Sequence, residues 1–235
     1  MATTLDPFLE RDFLAYEAHR QRDPEYNALR LSVRRKLAKI ADETKQRAKQ
    51  AGVALSSQAG LHHPYTFNSY RVREQRAYLC RSPAERKKLA SFFGEALGKD
   101  AETHYIQTVL EVSLDDQVVE AALRVHPMAW WDGEHLKKKC ADEAGLAEWC
   151  AMLNALPEGF GLRLHDWRKV YWARSTKPHE LREFFGSYTP GEHWLHIVRE
   201  LPREDAVALE HDAPLWAVTS LLALLPLYRF NLWTP

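Results

Sequence analysis

The chain carries no excess charge of either sign. Its 235 residues hold 32 Lys and Arg against 32 Asp and Glu. No global field therefore draws in nucleic acid or an anionic membrane, and a charged partner has to be met by a local patch. Cysteine is scarce: Cys80, Cys140 and Cys150 are odd in number and fit no zinc spacing. Cys140 and Cys150 fall in a helical pattern, where a buried thiol serves as a small hydrophobe. Long apolar runs are missing too. The longest, residues 221–227, is too short to cross a bilayer and contains Pro226. The opening MATTLDPFLERDF puts charges where a signal peptide needs an apolar stretch. These shortages point to a reduced, soluble, cytoplasmic protein. There is also no glycine-rich phosphate loop, nucleophile elbow, zinc cluster or dinucleotide fingerprint. An enzyme built from scattered residues leaves no such signature, so that class stays open.

What is present reads as an ordinary globular α+β chain, 46% hydrophobic and 27% charged. One domain over 1–235 is expected, with an organisation in two halves, 1–131 and 132–235, as the alternative. The centre is the stretch 103–131. Val112 and Leu114 alternate with Glu111 and Ser113, Asp115-Asp116 supply a turn, and Val119, Ala121, Leu123 and Val125 alternate again. Period two on both sides of an acidic turn predicts an antiparallel hairpin with one buried face. Most flanking segments are amphipathic helices that need such a face to cover.

Asp6-Pro7 and Asp23-Pro24 are helix starts. The second opens a long helix ending near Gly52, with Leu29, Val33, Leu37, Ile40 and Thr44 on its inner line and a basic outer surface. Residues 56–69 form a polar loop holding His62-His63, and residues 70–79 are a strand candidate with Arg71 and Arg73 on one face. Ser82-Pro83-Ala84-Glu85 is a capping box for a helix ending at Gly98. Asp132 caps a helix over the following residues. Phe160, Leu162 and Leu164 alternate as a strand, Lys177-Pro178 opens another helix, and residues 193–200 are strand-like. Pro202 starts a short helix, and Asp212 caps a final one, residues 214–225, apolar nearly all round and therefore central.

Four short motifs follow one another in a familiar order: Asp12-Phe13 before the long helix, His104-Tyr105 leading into the hairpin, Thr176-Lys177-Pro178, and Leu224-Leu225-Pro226-Leu227-Tyr228. This order resembles the YktB-like family of uncharacterised bacterial proteins, and the resemblance implies a TBP-like α+β fold. The helix at 82–98 replaces a basic run of that family, and Arg174-Ser175 stand where it carries a histidine. The family has no established activity, so no catalytic residue carries over.

Two histidine pairs invite a metal reading. His62-His63 has no acidic ligand nearby, and His193 and His196 point to opposite faces of a strand, so neither metal nor cofactor is expected. The leading expectation is a binding protein whose curved sheet offers a basic, aromatic concavity. Arg71, Arg73, His104, Trp131, Arg163, His165 and Trp172 are its lining. Its ligand is anionic: a nucleic acid, a nucleotide or an acidic protein partner, with no membrane involved. The alternatives are an enzyme with a histidine–carboxylate site at Trp131, Asp132 and His135, and an interaction subunit with an aromatic interface.

Overall fold

The computed structural model describes residues 5–98 and 106–234. The chain runs through α1 (Glu10–Leu14), α2 (Asn27–Gln50), β1 (Leu55–Ala59), β2 (Gln75–Arg81), α3 (Pro83–Gly98), β3 (Val109–Leu114) and β4 (Val118–Val125). It continues through α4 (Trp130–Ala141), α5 (Glu143–Asn154), β5 (Gly161–Leu164), β6 (Tyr171–Trp172), α6 (Pro178–Ser187) and β7 (Leu195–Pro202). It closes with α7 (Arg203–Ala208), α8 (Asp212–Ala223) and α9 (Leu225–Asn231). The seven strands among the described residues join one antiparallel sheet in the order β1-β2-β3-β4-β7-β5-β6. The long β4–β7 ladder ties the two halves of the chain into that single sheet.

The hairpin is β3–β4, in the middle of the sheet, with Leu110 opposite Leu123 and Val112 opposite Ala121. Its alternating apolar residues are all fully buried against the helical layer of α2 and α8. On α2, Val33, Leu37, Ile40 and Thr44 turn inward as their spacing requires, while Leu29 is only partly buried. Several basic residues of α2 are spent on the fold. Lys36 meets the buried Asp12 at 2.5 Å, and fully buried Arg30 donates to the carbonyls of Ala15, Asp23 and Arg20.

The α8–α9 segment, Asp212–Asn231, has the length and composition of a membrane span, yet 61% of its most apolar window is buried inside the fold. It is a pair of core helices, broken near Leu224, rather than the one expected over 214–225. Other boundaries move as well. The expected strand 70–79 begins only at Gln75, because Ser69 and Tyr70 take φ of 54° and 55° and cannot extend. The Val72 amide donates instead to Gln21 O at 2.9 Å. Helix α4 starts at Trp130, fed by a turn of 3₁₀ helix at Pro127–Ala129, which places Asp132 inside the helix rather than at its cap. The capping box is formed: the Ser82 amide donates to Glu85 Oε2 at 2.9 Å.

Candidate functional site

The structure separates the seven residues expected to line one concavity into several places. Trp131 is buried from α4 in a small cluster with Ile106, Ala90 and Trp233. His104 lies outside the described residues. Arg163, His165 and Trp172 stand on or beside the sheet face away from α2 and α8, whereas Arg71 and Arg73 belong to the loop before β2.

The carboxylate next to Trp131 is a structural hub. Asp132 is fully buried and takes two hydrogen bonds from Arg81, at 2.9 and 2.5 Å. It accepts three more, from the Thr108 amide (2.8 Å), the Thr108 hydroxyl (2.9 Å) and the Trp233 amide (2.9 Å). A carboxylate offers about four lone-pair positions, so these five donors fill the acceptor capacity of Asp132. No hydrogen bond joins it to His135 among the described residues, and burial holds the His135 imidazole below its ordinary pKa.

The open face of the sheet is charge-balanced rather than basic. Arg124 on β4 donates from Nε to Glu111 Oε1 at 3.0 Å and contacts His196 Nδ1 through Nη1 at 2.7 Å. Its Nη2 pairs with Glu120. Arg76 pairs with Glu74 and lies 3.7 Å from Glu111, and Arg163 meets Glu200 at 3.3 Å. Burial first, and then the positive charge of Arg124, hold His196 well below the ordinary imidazole pKa. It is therefore neutral, and Nδ1 is the acceptor. Burial outweighs Arg124 at Glu120 and pushes its carboxyl up to about 7.

Aromatic rings gather beside this network. The rings of His126, His196 and His165 lie 4.8, 4.9 and 5.1 Å from Trp194. A cleft of about 420 Å³ opens between Trp194, Met128, Tyr78, Val109, Glu111 and Arg76. Farther along the face, exposed Trp172 lies over Gly161, whose missing Cβ makes room for the indole. His193 sits in the turn before β7, its Nδ1 accepting from the Thr189 amide, while His196 is on the strand, so they form no pair. Among the described residues no three His, Cys, Asp or Glu come together as a metal site.

Loop 60–73 differs from the sheet face in holding no carboxylate. It is strapped at its base, where Gly60 O accepts from Arg34 Nε at 2.9 Å and Gln75 Nε2 at 3.1 Å. Inside it, the Tyr65 amide donates to Asn68 Oδ1 at 2.7 Å, Asn68 Nδ2 to His63 O at 2.9 Å, and the Tyr70 amide to Tyr65 O at 2.9 Å. The backbone is thus hydrogen-bonded to itself, yet Leu61, Tyr65 and Tyr70 are exposed and Phe67 is 89% exposed. The rings run in sequence: His62 to His63 at 5.0 Å, His63 to Tyr65 at 6.1 Å, Tyr65 to Phe67 at 5.8 Å.

Among the described residues neither Arg71 nor Arg73 has a carboxylate partner, and Arg71 Nε is buried without an acceptor. Burial, then the charges of His63, Arg34, Arg30 and Arg35, lower the His62 pKa, which places the basic surface of α2 beside the loop. The sequence did carry a signal for this site, in a stretch with aromatics, histidines and arginines but no acid. No protein-family model matches the chain, and no curated protein matches it.

Proposed function

We propose that the protein binds single-stranded nucleic acid through loop 60–73. The observation that carries this reading is a hydrogen-bonded loop that exposes Tyr65, Phe67 and Tyr70 beside two arginines with no carboxylate partner among the described residues. Exposed rings stack on bases of any sequence, at about 1–3 kcal/mol per base. Arginines without carboxylate partners neutralise phosphates and release counterions. The paired arginines of the sheet face would have to give up their glutamates to do the same, so the anionic ligand belongs to the loop. Arg35 is exposed on α2 and extends the basic surface. The internal hydrogen bonds lower the entropy lost when the loop engages a ligand.

Fluorescence anisotropy with a labelled deoxythymidine oligonucleotide of about 15 nucleotides tests the reading at low salt. Phe67→Ala should weaken binding about tenfold, the value of one stacked base, with unchanged far-UV circular dichroism because the ring is exposed. Wild-type protein that leaves the anisotropy flat would remove the proposal.

A further inference from the structure

Strand β1 stands at one end of the sheet order, and its hydrogen-bond phase shows which backbone groups face away from β2. The Gly60 amide donates to Arg76 O at 2.9 Å, in step with the β1–β2 register. Antiparallel pairs alternate, so Gln58 and Ser56 also turn their backbone groups towards β2, while Leu55, Ser57 and Ala59 turn theirs outward. Arg34 Nη2 donates to Ala59 O at 3.3 Å. Among the described residues the outward amides and carbonyls of Leu55 and Ser57 meet no partner. A free edge of this kind is a template for another strand. A groove of about 430 Å³ lies beside it, between residues 57–59 of β1 and Arg34, Ala38, Ala41 and Asp42 of α2. The alanines keep it open, and the Ser57 side chain points to the α2 side, where Oγ donates to Asp42 Oδ1 at 2.7 Å. The α2 flank is net positive: Lys45 pairs with Asp42 at 2.7 Å, and Arg34 has no carboxylate partner among the described residues.

We propose that this edge takes up an extended, acidic peptide from a partner protein as an additional antiparallel strand. Main-chain hydrogen bonds to Leu55 and Ser57 supply the affinity, and the groove selects the alternate side chains. A small side chain fits over Ala38 and Ala41, and an acidic one two residues away meets Arg34 at the Ala59 end. A second copy of the chain is the poorer occupant. Pairing two β1 edges would set two α2 helices side by side, each presenting the same net positive flank.

The experiment is a ¹⁵N-resolved titration of the whole protein with acetyl-Asp-Glu-Ala-Glu-Thr-Val-amide, following the Ser57 amide. In the bound strand the peptide's Asp, Ala and Thr face the groove, with Asp over Arg34. The expected result is a saturable shift of the Ser57 amide resonance and slower hydrogen exchange there. A residue opposite Ser57 shares its hydrogen-bond phase, so the amide of the peptide's Ala pairs with the edge and those of the flanking Glu residues do not. N-methylation at that Ala should weaken binding about tenfold, and N-methylation at the following Glu should leave it unchanged. Ala38→Gln, at a half-exposed helical position, fills the groove and should also remove the shift. No Ser57 shift at millimolar peptide, equal loss from the two N-methylated peptides, or full binding by a folded Ala38→Gln protein would overturn the proposal. So would a Ser57 shift that grows with protein concentration alone, which assigns the edge to a second copy, or the same shift with the deoxythymidine oligonucleotide, which assigns it to nucleic acid. The wild-type comparison of the N-methylated peptides decides the matter even if Ala38→Gln fails to fold. Arg71→Ala/Arg73→Ala should leave this titration unchanged, so the loop and the edge can fail separately.

Discussion

Neutralising Asp132 should damage stability. Asp132→Asn keeps the size of the side chain but turns one acceptor oxygen into an N–H₂ group that faces donors. Each oxygen now serves at least two donors: Arg81 and the Trp233 amide at Oδ1, Arg81 and both Thr108 groups at Oδ2. Whichever way the amide is turned, donors meet donors and Arg81 is left as a buried, uncompensated cation. Removing one partner of a buried ion pair costs about 3–5 kcal/mol. For a chain of this length that lowers Tm by roughly 2–4 °C per kcal/mol, or about 6–20 °C in total. Differential scanning calorimetry of wild type and Asp132→Asn measures it. The double variant Asp132→Asn/Arg81→Met should recover part of the loss, since an apolar replacement leaves no buried charge. A Tm within a degree or two of wild type, or a higher one, would refute the structural role and return Asp132 to the list of catalytic candidates.

Glu120→Gln should act in the opposite direction at neutral pH. Burial raises the Glu120 carboxyl from 4.5 to about 7, so the folded state holds this proton longer than the unfolded one. Stability therefore falls as pH rises from 4.5 to 7, by about 1.4 kcal/mol per unit, and the loss is complete above that range. Glutamine removes this dependence; its melts between pH 4.5 and 8 should show a flatter profile and a higher Tm than wild type at pH 8. A lower Tm there would show that the Arg124 contact outweighs burial. In the core, Leu123→Ala on the central strand β4 should cost about 2–5 kcal/mol in urea unfolding; less than 1 kcal/mol would mean that the helical layer collapses into the gap. At Gly133 an added Cβ would come within 2.5 Å of Tyr188 Oη and 3.0 Å of Pro190. Gly133→Ala should therefore destabilise α4 by about 1–3 kcal/mol, and an unchanged melt would show that Tyr188 moves aside freely.

The hairpin could be read from sequence because one rule governs it. Every second residue from Leu110 to Leu114 and from Val119 to Val125 is apolar, and burial of that face follows from the pleat. The opposite face obeyed no local rule. Glu111, Glu120 and Arg124 alternate as solvent-facing residues do, yet pairing with β7 sets His196 opposite Arg124 across 72 residues and closes a buried network. The local sequence around Asp132 points to a helix cap or a catalytic acid for the same reason. Its partner Arg81 lies 51 residues away, and nothing near Asp132 announces the pair. The sequence pattern puts Arg71 and Arg73 on a strand, whereas β2 begins only at Gln75. The left-handed backbone of Ser69 and Tyr70 that keeps them in a loop has no signature in residues that are neither Gly nor Asn.

The loop reading rests on two cations available to phosphate, and salt dependence tests that most directly. Oligonucleotide affinity measured by anisotropy across a salt series gives the number of phosphates neutralised. The single-strand slope is about −0.7 per contact, so Arg71→Ala/Arg73→Ala should make it shallower by about 1.4 while weakening binding at low salt. Equal slopes and equal affinities in the two proteins would contradict the assignment of the ligand to this loop.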